Sequence, residues 1–427
     1  MPSKIKIVFN LIKRRWILDF KSRKTLEKYQ RKKLEKQYKF VMENSNYFRE
    51  KYKDKKSLLD FEVMNKKELM ENFDNINTVD IKKEEALQLA INGEKNREFA
   101  EKCKNITVGL SSGTSGHRGL FILDDNEIEK WAGSILAKCL PKDNMLGHKI
   151  AFFLRADNNL YESINSKAIE FKYFDTYNDI EDNLKKLEQY NPTILVAPSS
   201  FLVVIAKNVE RCSLKINPQK IIAVAEVLEE RDKEYLKKVF EKDIIYQIYQ
   251  CTEGFLGYVC ECGNFHLNED IVYLEKEYLD EKRFIPIITD FERTSEPIIR
   301  YRLNDILIEK KGKCECGSSL CMIEKIEGRD DDIFIFHSID GGKVVIFSDF
   351  IRRIMLFTPN IMDYRIIQLN YDNVIIKISD LSKEQKRLIL DEFVKLSKDK
   401  KFIMPQISFE DYEYDKSKKL KRVERCF

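Results

Sequence analysis

The spacing of hydrophobic positions changes several times along this chain, and each change predicts a different kind of element. Ile5, Val8, Phe9, Ile12, Trp16 and Phe20 recur every three or four residues, as on one face of a helix. From about residue 20 to 100 the text stays helical, highly charged and poor in breakers. Ile106–Leu110 then forms a short strand that runs into a Ser/Gly/Thr loop. Residues 149–154 (KIAFFL), 193–197 (TILVA) and 221–225 (IIAVA) are apolar apart from the leading Lys149 and Thr193, and they are separated by segments of helical spacing such as 127–139. Apolar strands alternating with helices predict a parallel sheet covered on both faces, so the fold class is α/β. After Cys251 the pattern becomes hairpin-like. Beyond Gly328, alternating strands at 333–336, 344–347 and 374–378 precede a helix at 382–397, which reads as a separate α+β module. No internal repeat is visible.

Composition narrows the class. At 427 residues the chain is long enough for two or three domains of about 150 residues, and 43% hydrophobic residues supply their cores. The longest apolar runs fall far short of the roughly 18 residues a spanning helix needs, which predicts no integral membrane segment. Residues 7–12 are interrupted by Asn10 and followed by Lys13, Arg14 and Arg15, a poor signal peptide. The net charge of +4 is unevenly spread: residues 1–40 hold fourteen Lys or Arg against Asp19, Glu27 and Glu35, leaving −7 on the rest. The favoured reading of this basic arm is an amphipathic helix docked on its own domain with a solvated basic face. An anionic membrane surface is the alternative. Nucleic acid is disfavoured because no recognition fold accompanies the charge.

Ten cysteines without a secretion signal point to a reducing, cytoplasmic setting and to metal or catalysis rather than a disulfide framework. Cys260-x5-His266 and Cys314-x-Cys316 offer two soft pairs from separate hairpins, a thiolate/imidazole set for tetrahedral zinc. Cys262 could replace Cys260 or His266. Four protein ligands leave no open position, so the site reads as structural. Cys251 reads as a small pocket-lining residue rather than a nucleophile. His148 and His337 read as structural.

Four stretches occur in order. Ser111-Ser112-Gly113-Thr114-Ser115-Gly116-His117-Arg118-Gly119 offers hydroxyls and backbone that can approach an anion closely. It lacks the Gly-Lys-Ser/Thr ending of a Walker loop. Tyr249-Gln250-Cys251-Thr252-Glu253-Gly254, Arg300-Tyr301-Arg302-Leu303-Asn304-Asp305 and Gly328-Arg329-Asp330-Asp331-Asp332 follow. Together they resemble the adenylate-forming superfamily, nearest to its phenylacetate–CoA ligase and deazaflavin-adenylating branch.

That resemblance implies a large N-terminal AMP-binding domain, 1–328, with a helical arm over 1–100 and a zinc-binding β region at about 255–325. A small mobile C-terminal domain, 329–427, would turn on a hinge near 329–332. It implies ATP and Mg²⁺ as cofactors beside structural Zn²⁺. Ser111–Gly119 would cradle the β/γ-phosphates, with His117 a neighbour of the ligand. Thr252 would touch the α-phosphate and Glu253 would hold Mg²⁺. Asp305 and Arg329 would meet the ribose, Ala225, Glu226 and Tyr249 would line the nucleotide and acyl pocket, and Asp331 marks the hinge. The ending Lys418-Lys419-Leu420-Lys421-Arg422-Val423 selects Lys419 as the catalytic lysine, with Lys421 as runner-up.

The expected reaction is ATP-dependent activation of a carboxylic acid, an aryl acid by the resemblance, to an acyl-adenylate with release of pyrophosphate. The acyl group then passes to an acceptor nucleophile. Arg155 and Tyr161, following residues 149–154, are candidate substrate contacts with Cys251. An aryl–CoA ligase and a catalytically silent nucleotide-binding scaffold are the alternatives. CoA-forming relatives carry a Gly-rich turn and a Pro before the next helix. Here Gly341-Gly342 reads as a hairpin turn and Ser348-Asp349 replaces the proline, which argues for an acceptor other than CoA.

Overall fold

Ile194–Pro198 and Lys220–Val224 are buried at every position, and they form the middle of a parallel sheet. A computed structural model describes residues 2–96, 102–110, 119–154, 165, 169–176, 178–356, 358, 361, 363–412 and 421–427. The chain divides into two compact units, 1–303 with 309–325, and 304–308 with 326–427.

In the first unit the helices that cover the sheet or carry the arm are α1 (Lys4–Ile12), α2 (Arg23–Asn44), α3 (Asp125–Cys139), α4 (Ile180–Tyr190), α5 (Ser199–Glu210) and α6 (Glu230–Phe240), and further helices lie between α2 and α3 at Asn46–Lys51, Lys66–Glu71, Phe73–Ile76 and Lys83–Asn96. Among the strands, β1 (Ile106–Leu110) pairs antiparallel with β2 (Leu120–Leu123). The parallel set is β3 (His148–Leu154), β4 (Ile169–Asp175), β5 (Ile194–Pro198), β6 (Lys220–Val224) and β7 (Tyr246–Cys251), in the order β4-β3-β5-β6-β7. Alternate side chains serve opposite faces, as the pleat requires. Leu195 and Ile221 pack with Leu187, Leu202 and Leu236 from α4, α5 and α6. Ile194, Val196 and Ile222 pack with Ile7, Leu11 and Leu136 from α1 and α3. Truncating a central residue such as Leu195 to Ala would cost about 2–5 kcal/mol. The sheet continues antiparallel into β8 (Gly254–Val259) and β9 (Phe265–Leu267), and β10 (Val272–Tyr278) pairs with β11 (Arg283–Asp290). Strand β4 escaped the sequence reading because its residues alternate in burial instead of running apolar.

The arm docks on its own domain, though not by the face its periodicity suggests. Ile7 and Leu11 are buried while Ile5, Val8, Phe9, Ile12 and Trp16 are exposed. Two features select the docked face. Helix α1 lies so close to α3 that a Cβ on Gly133 would stand 2.5 Å from Asn10 Cβ and 2.9 Å from Ile7 O. Arg14 is buried in an ion-pair cluster, 3.0 Å from Asp270 and also paired with Glu292, and Lys138 reaches Asp270 at 2.9 Å. Arg15 donates to the carbonyls of Ala137 and Leu140, open acceptors at the α3 C-terminus, and to that of Pro141 just beyond it.

The second unit begins with Asn304–Ile308 and resumes at Ile326. Phe334–His337 and Lys343–Ile346 form the hairpin that the sequence predicts, turning through Gly341 and Gly342 at φ +91° and +80°. A Cβ on either glycine would meet nothing within 4 Å, so the turn dihedrals, not close packing, call for glycine. A four-stranded sheet runs in the order Gln406–Glu410, Asn373–Lys377, Arg365–Asn370, Val423–Arg425. Phe334, Phe336, Ile366, Ile376, Phe393 and Val423 share its core with the helices Ser348–Leu356 and Lys383–Lys400.

Candidate active site

Neighbouring strands β6 and β7 are parallel, and both end at the sheet edge where open α/β folds bind ligands. Beyond β6 the chain does not extend through Ala225 as the sequence predicts. Ala225 has φ +64°, and Glu226 N donates to Val224 O at 2.8 Å. This is a γ-turn, a conformation rare for a residue with a Cβ. The Glu226 carboxylate turns to α5, accepting from Ser200 N at 3.0 Å and Ser199 Oγ at 3.3 Å, so it caps that helix.

Beyond β7 the chain reverses through Thr252 and Glu253 into β8, after a bulge between Tyr249 and Gln250. Several contacts fix this turn. Trp131 Nε1 donates to Gln250 Oε1 at 3.0 Å, and Gln250 Nε2 donates to Cys251 O at 3.0 Å. Arg293 Nη1 donates to Thr252 O at 3.1 Å. Gly254 allows Asp290 to come close, since a Cβ there would sit 2.9 Å from Asp290 Oδ2. Thr252 Oγ1 donates to Glu253 Oε2 at 2.8 Å. The buried Tyr301 hydroxyl also bonds to Glu253; burial first, then the Glu253 charge, push its ionisation far above the usual range. Glu253 is thus a half-buried carboxylate held by two hydroxyls, a hard oxygen donor of the kind that binds Mg²⁺. Tyr249 is buried, and Cys251 is half-buried with its Sγ 3.7 Å from Gly254 O.

Behind the turn lies a group of acids that the sequence reading missed. Burial pushes the Glu296 carboxyl up to about 8, against the pull of Arg293 and with the Glu253 charge adding to the rise. Burial likewise lifts Asp290 to about 6. Arg293 Nη2 donates to Glu296 Oε2 at 2.8 Å. Glu127 accepts from Thr294 N at 2.6 Å and Ser295 N at 3.0 Å, tying the α3 N-terminus to this loop. The Arg293/Glu296 spacing was the available signal, but an i,i+3 pair normally marks an exposed face.

Within the second unit, Arg329 Nε stands 3.6 Å from Asp305 Oδ1, and Asp330 N donates to Asn304 O at 2.7 Å. The third and fourth motifs therefore meet. Asp331 lies in the one-turn helix Asp330–Asp332. Lys421 Nζ is 3.0 Å from Asp332 Oδ1, and both side chains are largely buried. Ser111, Ser112, Gly113, Thr114, Ser115, Gly116 and His117 lie outside the described residues, as do Arg155, Tyr161 and Lys419.

The structural neighbours are adenylate-forming ligases. A 2-hydroxyisobutyryl-CoA ligase in its postadenylation state, bound to an acyl-AMP, aligns with TM-score 0.66 and 15% identity over 94% of this chain and 88% of its own. The same ligase with 2-HIB-AMP and CoA in the thioesterification state aligns with TM-score 0.56 and 16% identity, over 95% and 90%. Fatty acyl-adenylate ligases from E. coli and L. pneumophila align with TM-score 0.53 and 12% identity, over 74% and 68%. This chain has the adenylate-forming ligase fold. No protein-family model matches it, and no curated protein is significantly similar in sequence.

In this adenylate-forming fold a second donor cluster sits in the first unit. The ligand atoms of Cys260, His266, Cys314 and Cys316 all lie within 4.8 Å of one another. Cys260 Sγ is 3.6 Å from Cys314 Sγ, and Cys316 Sγ is 3.5 Å from His266 Nε2. Zinc at about 2.3 Å from sulfur in a tetrahedron sets its donors roughly 3.7 Å apart, so the set fits that ion. His266 Nδ1 is 3.3 Å from Leu320 O, an orientation that leaves Nε2 to the cluster. Burial lowers the imidazole to about 4, which keeps it neutral. Cys262 is exposed and lies outside the set, so it replaces neither Cys260 nor His266. His148 is buried, with its ring nitrogens 3.2 Å from Thr193 Oγ1 and 2.8 Å from Asn144 O, a structural role.

Proposed function

We propose that this protein activates a carboxylic acid with ATP, forming an acyl-adenylate and pyrophosphate, and then passes the acyl group to a nucleophile. The observation that carries this reading is the Thr252–Glu253 turn at the end of β7, in a chain with the adenylate-forming fold. A carboxylate oxygen attacks the α-phosphorus, the bond to the bridging oxygen breaks, and pyrophosphate leaves with its electron pair. Such a step needs positioning and charge stabilisation more than covalent help from the protein. Glu253 would hold Mg²⁺, which supplies countercharge to the phosphates when bound, while Tyr301 and Thr252 fix the carboxylate. Thr252 would meet the α-phosphate, Asp305 would accept from the ribose hydroxyls beside Arg329, and residues 111–119 would cradle the outer phosphates. Lys419 would supply the last positive charge. Residues 329–332 are the proposed hinge between the domains.

Aryl acids are the proposed substrate class, on the motif resemblance. The 2-hydroxyisobutyryl-CoA ligase adds short hydroxy acids to the same screen. The proposed acceptor is an amine, hydroxyl or carrier thiol rather than CoA, because Gly341 and Gly342 are spent on a hairpin turn. Zinc is proposed as a structural ion joining the Cys260–His266 hairpin to the Cys314–Cys316 loop. That loop holds the arm, with Lys21 Nζ 3.0 Å from Cys316 O and Ser319 N donating to Phe20 O at 2.9 Å.

The test is acid-dependent exchange of labelled pyrophosphate into ATP across a library of carboxylic acids. Glu253→Gln should lower the exchange by about a hundredfold or more. Nucleotide-dependent thermal stabilisation with no exchange for any acid would favour the silent-scaffold reading.

A further inference from the structure

Helix α1 carries two apolar faces, and only one is used by the fold. Ile7 and Leu11 are buried against α3, whereas Ile5, Val8, Phe9, Ile12 and Trp16 are 83%, 53%, 61%, 45% and 57% exposed. With Ile17, the helix and the turn after it hold six of the seventeen exposed large hydrophobic residues among those described. That concentration is unlike the scattered apolar residues of an ordinary surface. At 100° per residue, Ile5, Val8, Phe9 and Ile12 fall within an arc of about 100°, and Lys4, Lys6 and Lys13 lie at its two edges. The face is held in place: Arg14 is buried on Asp270 and Glu292, and Arg15 grips the end of α3. An apolar strip edged with lysines and carrying a tryptophan has the make-up of a helix lying in a membrane interface.

We infer that the outward face of α1 docks on a bilayer surface rich in anionic lipid. Charge decides between lipid and a second copy of the chain. Residues 1–40 carry fourteen basic and three acidic residues. Lys6, Arg14 and Arg23 are paired with Glu129, Asp270, Glu292 and Glu269 of the same domain, yet the excess is still basic, so pairing two arms would bring like charges together, whereas an anionic leaflet attracts each of them. No helix among the described residues is long and apolar enough to cross a membrane, so the contact would be peripheral.

The test is co-sedimentation of the full chain with phosphatidylcholine vesicles made with and without phosphatidylglycerol. Binding is expected only with the anionic lipid and should weaken with salt. Phe9→Ser with Trp16→Ser should lower the partition at least about tenfold, and each of Lys4→Gln and Lys13→Gln by up to about fivefold. The thermal melt and pyrophosphate exchange should not change, because no catalytic group is touched. Absence of binding to anionic vesicles at low salt would overturn the inference. A dimer in sedimentation velocity that Phe9→Ser dissolves would overturn it too, assigning the face to self-association.

Discussion

Glu296 is a carboxyl whose protonation can be read through stability. It is buried, it sits beside one guanidinium, and Glu253 adds a second negative charge nearby. Burial is the largest influence and pushes it to about 8 from an ordinary 4.5. Between those values the native chain holds a proton that the unfolded chain has released, so stability must fall as pH rises from about 5 to 8. At 1.36 kcal/mol per pH decade the whole fall is about 5 kcal/mol, with Arg293 already counted against it. Asp290, raised by burial to about 6, adds a fall of the same sign that is complete by about pH 6. Glu296→Gln keeps the shape and a hydrogen-bonding head but has no proton to lose. Urea unfolding of both proteins at several pH values from 5 to 9 is the assay. The variant should match the wild type near pH 5 and exceed it by a few kcal/mol at pH 9. If Glu296 is instead ionised on Arg293, the substitution strands a buried guanidinium and costs about 3–5 kcal/mol at every pH. A uniform loss would refute the reasoning.

Lys419→Ala should cut pyrophosphate exchange about a hundredfold with an unchanged melt. Lys421→Ala should instead lower the melting temperature by freeing buried Asp332; the reverse pattern would move the catalytic role to Lys421. One zinc per chain is expected by metal analysis, and Cys314→Ser should yield metal-poor protein with a lower melting temperature, since structural zinc can contribute about 10 kcal/mol to folding. Metal-free wild type after careful purification would defeat that assignment. With the best exchange substrate, ATP and CoA, acyl-adenylate should accumulate until another nucleophile is added; rapid stoichiometric acyl-CoA at micromolar CoA would overturn the acceptor proposal.

What could be read in the sequence follows from how local each determinant is. The central strands were legible because burial on both faces leaves runs such as ILVA and IIAV without polar breaks. Strand β4 was hidden because its alternating text also suits an exposed segment. The zinc-ligand candidates were legible because a Cys/His pair and a Cys/Cys pair, each set close together in sequence, offer the soft donors that zinc takes, yet only tertiary packing excluded Cys262. At the turn after β7, Thr252 and Glu253 could be named from their motif, while Arg293, Glu296 and Glu127 could not. Their roles arise where a loop near residue 294 meets the start of α3, far away in sequence.

The N-terminal helix gives the sharpest case, because the pattern was read correctly and the wrong face was assigned to the core. Periodicity reports that a face is apolar, but it does not say what covers it. Two features decided the docking, and neither registers as hydrophobic: Gly133, which lets the helices nearly touch, and Arg14, whose charge is buried on Asp270 and Glu292. A guanidinium scores as a surface residue in any pattern, so a short stripe of Ile7 and Leu11 that runs into Arg14 is discarded at once. Yet Asp270 and Glu292 gather two cations, Arg14 from the arm and Lys138 from α3. Losing either cation would leave buried carboxylate charge undercompensated, at a cost of several kcal/mol. That need fixes the helix's rotation more firmly than its apolar residues do, and it turns the longer hydrophobic stripe outward.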